Sequence, residues 1–147
     1  MKTIHRIVVP VDFSKSSSKL IDYAMYMAEE LSAALHFVHV AEVNPGHDML
    51  LGSSMFGDLK AKITAAAEER MQNLLQDNGG RLKELGGKVV QGDTVEAIID
   101  YAEAEKADLI IIATHGAKGL EKFLLGSVAE RVIKRAPCPT LILNPYK

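Results

Sequence analysis

Residues 4–11 (IHRIVVPV) are rich in β-branched apolar side chains, the mark of a strand buried on both faces, as in parallel sheets. Pro10 falls near its end, where a missing ladder donor matters least. Over residues 15–34 the period changes. Leu20, Tyr23, Ala24, Met27, Ala28 and Leu31 recur at spacings of three and four, predicting an amphipathic helix with Ser14 as its N-cap. Residues 35–43 (LHFVHVAEV) return to strand character. Residues 44–57 carry Pro45, Gly46, Gly52 and Gly57 with two serines, and this composition predicts a long surface loop. A helical stretch follows over 58–85, interrupted at Asn78-Gly79-Gly80, where the helix either stops or restarts. Residues 88–91 read as a short third strand. Gly92-Asp93-Thr94 turns into a helix over 95–105, and 107–113 (ADLIIIA) is the clearest buried strand in the chain. A loop marked by Gly116, Gly119 and Gly126 leads to a helix over 127–135, halted by Pro137, and a last strand over 140–143.

Five strands alternating with four helices imply right-handed crossovers, hence an α/β fold with a parallel sheet and helices on both faces. In such sheets ligands bind beyond the carboxyl ends of the strands, where the strand order reverses. Two connections at that edge carry unusual residues. Asp12 directly follows the first strand, so its carboxylate either accepts ribose hydroxyls of a nucleotide or caps the helix that starts nearby. After the fourth strand, three glycines permit positive φ and close approach of a ligand. Gly126-Ser127 opens a helix whose first N–H groups, with the helix dipole, suit phosphate. The same residues, Ser127-Val128-Ala129-Glu130, also read as a capping box that requires no ligand.

Composition narrows the field without changing this picture. The 147 residues are 48% hydrophobic and 24% charged, with net charge −2, which fits one domain over 1–147. Lysines are dispersed and there is no Trp, so neither a basic stripe nor a stacking platform points to nucleic acid. The single cysteine, Cys138, is expected to be a buried small apolar residue. With no apolar run long enough for a signal peptide core or a membrane span, a cytoplasmic setting away from membranes is expected. His36 and His39 stand three apart in a strand and so face opposite sides; no histidine cluster has metal-ligand spacing, and no metal site is expected. P-loop, dinucleotide and nucleophile-elbow motifs are absent from the sequence.

The chain resembles the universal stress protein family over nearly its full length. The resemblance rests on Ile7-Val8-Val9-Pro10-Val11-Asp12 followed by Ser14, on Gly92-Asp93, on 107–113 with Thr114-His115-Gly116, on 124–132 (LLGSVAERV), and on Ala136-Pro137-Cys138-Pro139. It implies a Rossmann-like open five-stranded sheet of order 3-2-1-4-5 and a homodimer formed through the edge strand 140–143. ATP-binding members carry Gly-x2-Gly-x9-Gly-[Ser/Thr]. Here Gly116 and Gly126-Ser127 match, while Ala113 stands at the first glycine, a change that matters if positive φ is required there. By resemblance, Asp12 would hold the ribose, Val40 would line the adenine pocket and Pro10 and Val11 would border it. Gly116, Gly119, Gly126, Ser127 and Val128 would surround the phosphates. His115, in the same loop, could as an imidazole donate to a phosphate or act as a base, or be plain polar filling. ATP is the implied cofactor, with any Mg²⁺ carried by the nucleotide. The implied role is a stress-response switch that binds ATP. The alternatives are a slow ATPase and a dimeric interaction protein independent of nucleotide.

Overall fold

The computed structural model describes residues 3–42, 46–114 and 125–146. The elements run β1 (Arg6–Pro10), α1 (Ser17–Leu31), β2 (Ala34–Ala41), α2 (Gly46–Asp77), β3 (Leu85–Gln91), α3 (Thr94–Ala104), β4 (Leu109–Ala113), α4 (Ser127–Arg135) and β5 (Thr140–Leu143). The strands form one parallel sheet in the order β3-β2-β1-β4-β5, the order the resemblance implies.

Strand alternation sorts the apolar side chains into two cores. Ile7, Val9, Val11, Leu35, Phe37 and Ile111 pack with Leu20, Ala24, Met25 and Ala28 of α1 and Met71 and Leu74 of α2. Val8, Val38, Ile110 and Ile112 pack with Val95, Ile98 and Ala102 of α3 and Ala129 and Val132 of α4. Full burial of each such large side chain is worth about 1.5–3 kcal/mol, so both faces of the sheet contribute. On α1 the buried stripe includes Met25 and leaves Leu31 at the rim, a small rotation from the expected face. Cys138 is half-buried against the α3–α4 core.

Three boundaries differ from the sequence reading. From Gly46 onward the predicted loop is helical, bent at Gly52, whose φ of 78° and ψ of 158° leave the helical region. Met49 and Met55 lie on this stretch at 91% and 60% exposure, so they do not contribute to the core. At the other end α2 stops at Asp77, where Asn78 Nδ2 donates to the Leu74 carbonyl and satisfies one of the helix's last acceptors. β3 then begins at Leu85, three residues earlier than expected, because Gly86 and Gly87 belong to the ladder opposite His36 and Phe37.

A charged cluster closes the amino edge of the sheet. Arg6 pairs with Glu84 at 3.2 Å and with Glu105 at 2.7 Å, and Glu84 also meets His36 Nε2 at 2.8 Å. The His36 hydrogen bond, and then the Arg6 charge, hold the Glu84 carboxyl below the usual carboxylate range. Nearby, burial and the Glu105 charge push the Tyr101 hydroxyl up to about 12.

Candidate functional site

The chain leaves β1 toward the α1–α2 face and leaves β4 toward the α3–α4 face. The strand order therefore reverses between β1 and β4, and the crevice expected at such a switch point, at the carboxyl ends of these two strands, is the place where such sheets take ligands. Pro10 ends β1, opposite Val38. Val40 lies two residues further along β2 and packs partly buried into the α3–α4 core. By alternation Pro10 shares that face, the face that also carries α4. Val11 is buried on the other side, in the α1–α2 core, so its backbone rather than its side chain borders the crevice.

Across the crevice, Ala113 ends β4 opposite Leu143. The described non-glycine residues with positive φ are Phe13, Ser32 and Lys106. Ala113 is not among them, so an alanine meets no backbone penalty at the motif's first glycine position. Thr114 donates its N–H to the Leu143 carbonyl at 2.8 Å and accepts the Gly126 N–H at 2.7 Å. That second bond holds the start of α4 against the carboxyl end of β4.

The start of α4 differs from the capping-box reading. Gly126, not Ser127, is the N-cap; it supplies no side-chain bond, and Ser127 is the first helical residue. The first backbone bond of the helix runs from the Glu130 N–H to the Gly126 carbonyl at 3.0 Å. The N–H groups of Ser127, Val128 and Ala129 precede it and have no intrahelical acceptor. Ser127 and Val128 are exposed. Gly126 adopts φ −63° and ψ 151°, so the positive φ expected of it is not used. What glycine provides is the absence of a capping side chain at the positive end of the helix dipole. His115, Gly116 and Gly119 lie outside the described residues.

Asp12 does take part in starting α1. Its Oδ1 accepts the Ser14 N–H at 3.0 Å and the Ser17 hydroxyl at 2.9 Å, and Ser17 is 5% exposed. The N-cap position belongs to Ser16 rather than Ser14. A carboxylate offers about four acceptor positions, so helix initiation and a hydroxyl contact are compatible. Three residues around this turn, Phe13, Ser17 and His39, and Thr114 after β4 are not among the site residues the sequence suggests. In the sequence His39 stands out only as a potential metal ligand; its position near the carboxyl end of the second strand is the signal for a role at the site. The two histidines do face opposite sides: His36 meets Glu84, whereas His39 Nδ1 meets the Val11 carbonyl at 2.7 Å.

A groove of about 460 Å³ opens elsewhere, between the start of α1 and the end of α2. Its walls carry Asp22 and Asp77 against the single cation Arg70, a balance unsuited to phosphate. Among the described residues no group of three or more His, Cys, Asp or Glu is arranged to hold a metal ion, and no helix is long and apolar enough to cross a membrane.

Comparison with known proteins agrees with the architecture. The chain is 36% identical to universal stress protein MJ0531 of Methanocaldococcus jannaschii over 146 residues, covering 97% of this chain and 83% of that protein. Its fold superposes on the universal stress protein UspA from Lactobacillus plantarum with a TM-score of 0.82 at 23% identity, covering 97% and 99% of the two chains. A universal stress protein from Archaeoglobus fulgidus, solved in complex with dAMP, shares the fold with a TM-score of 0.63 at 19% identity, covering 96% and 98%. The sequence pattern of the universal stress protein family matches residues 3–144. On the sheet order, the crevice and this match, the chain belongs to the universal stress protein family.

Proposed function

We propose that this protein binds an adenine nucleotide, with ATP as the leading ligand, and acts as a regulatory module in a stress response. The observation that carries the proposal is the 2.7 Å bond from the Gly126 N–H to the Thr114 carbonyl. It sets the uncapped N-terminus of α4 at the carboxyl end of β4, across the crevice from Asp12. Three N–H groups without intrahelical acceptors and the helix dipole form the proposed phosphate site. Asp12 accepts from the ribose hydroxyls, and adenine occupies the apolar border formed by Pro10, the Val11 backbone and Val40. Ala113 allows close approach of the phosphates, while Ser127 and Val128 meet them. Gly116 and Gly119 complete the phosphate loop by family resemblance, and His115 in the same loop serves as a donor to a phosphate.

The structure of a relative in complex with dAMP concerns that protein and supports the reading only through shared family and fold. Any Mg²⁺ would arrive on the nucleotide. Among the described residues Asp12 is the carboxylate this reading assigns to the nucleotide, and efficient phosphoryl transfer needs a positioned metal and a group that orients the nucleophile; the role proposed is binding, with hydrolysis slow at most. The working form is a homodimer joined through β5, in the cytoplasm. Calorimetry on protein stripped of nucleotide tests the proposal. Saturable heat with ATP, displaced by AMP, is the expected result; no heat and no displacement would refute it. The nucleotide-independent alternative drew its support from Ala113, and the negative φ there removes that motive.

A further inference from the structure

The turn between β1 and α1 contains an aromatic residue in a conformation that favours glycine. Phe13 has φ 58°, uncommon for a bulky side chain and kept only where surrounding contacts determine it. Those contacts are visible on both sides. Before the turn, the Val11 N–H donates to the Val38 carbonyl at 2.9 Å, and His39 Nδ1 lies 2.7 Å from the Val11 carbonyl. A carbonyl only accepts, so the proton is on Nδ1. At the turn, the Phe13 ring lies on the His39 ring, with centroids 4.7 Å apart and planes inclined by 41°. After it, the Ser14 N–H and the Ser17 hydroxyl converge on Asp12 Oδ1.

We propose that Phe13 and His39 form a strap that positions the Asp12 carboxylate, so that recognition of the sugar is set by a ring pair outside the crevice. His39 grips the residue before Asp12 by its hydrogen bond and the residue after it by its ring. With both neighbours fixed, the peptide planes flanking Asp12 cannot rotate, and its side chain leaves the backbone in one direction. Phe13 and His39 are positioning residues; neither is assigned a contact with nucleotide. The inference rests on the nucleotide reading above and assigns the orientation of Asp12 to a specific pair of side chains.

The test compares ATP with 2′,3′-dideoxy-ATP, which lacks the hydroxyls that Asp12 would accept. Wild-type protein should bind ATP about tenfold or more tightly than the dideoxy analogue, the scale of a hydrogen bond to a charged group. Phe13→Gly removes the ring and tolerates the φ; His39→Phe keeps a ring and loses the donor. In each, the ratio should fall toward one while affinity for the dideoxy analogue is retained. A merely structural role would weaken both ligands together. His39→Asn, which returns an N–H donor near the Nδ1 position, should recover part of the ratio. It also supplies a milder change if either other variant fails to fold. An unchanged ratio in folded Phe13→Gly or His39→Phe overturns the strap and leaves nucleotide binding intact. Equal binding of the two ligands by wild-type protein overturns the ribose assignment and the strap with it. No binding of either by wild-type protein refutes the nucleotide reading itself.

Discussion

Gly87 sits where α2 crosses β3, and a Cβ there would come within 2.5 Å of Met71 Sδ and 3.4 Å of the Phe37 carbonyl oxygen. The sulfur belongs to a side chain that is itself 3% exposed, so it has little room to withdraw. Gly87→Ala should therefore destabilise the fold by about 1–3 kcal/mol, the range for overpacking a filled core. A denaturant midpoint measured with an unchanged m value checks this. Combining it with Met71→Ala should cost less than the sum of the two single changes, since the obstruction is gone; strict additivity would place the strain elsewhere. Gly86 has a parallel reason, because a Cβ there would approach the His36 ring to 3.1 Å. A pair of glycines reads as an interruption in sequence, and that is why β3 was read three residues short. The cause is close approach by residues from other elements, which one-dimensional spacing does not carry.

At the scale of elements, the helices and strands whose periodicity reflects burial were legible: β1, α1, β2, α3, β4, α4 and β5 all appear near their expected bounds. The start of α2 was not, because the apolar side chains of residues 49–55 stand exposed rather than turned to a core, and the glycines among them read as loop. The ends of α3 and α4 pose a more useful contrast. Asp93 caps α3, its Oδ2 accepting the Glu96 N–H at 3.0 Å. Gly126 caps α4 with no side chain at all, although its φ and ψ suit any residue. Gly126→Asp should thus stabilise the protein by about 0.5 kcal/mol, through a cap bond and the helix dipole. It would put a carboxylate where the phosphates are proposed to lie, so ATP affinity should fall at least about tenfold. Melting and calorimetry on one sample read both effects. Gained stability with undiminished ATP affinity would move the phosphates away from α4.

For the whole molecule, the sequence carried the candidate site's two halves but not their joining. Asp12 and Gly126-Ser127 stand out in one dimension because each follows or opens an element. The Thr114 bridge and the Phe13–His39 contact exist only once the strands are ordered. The sheet order also leaves two open edges, β3 and β5, and an open edge offers unpaired backbone groups to another chain. The two are not equivalent. β3 (LGGKVVQ) carries a glycine pair and a lysine, features that blunt an edge. β5 (TLIL) is nearly all apolar; Ile142 is 38% exposed and Tyr146 just beyond it 47%. Two copies related by a two-fold axis would pair β5 antiparallel and extend the sheet. Four residues per strand bury little, so the interface must include flanking side chains such as Tyr146 to reach the roughly 1,200 Å² that stable complexes need. Sedimentation should show a dimer whose melting temperature rises with protein concentration. Ile142→Lys should shift it toward monomer by at least about tenfold in dissociation constant, through one buried charge per copy. A dimer undisturbed by that change would transfer the contact to another surface, and a monomer in wild-type protein would leave β5 an edge without a partner copy.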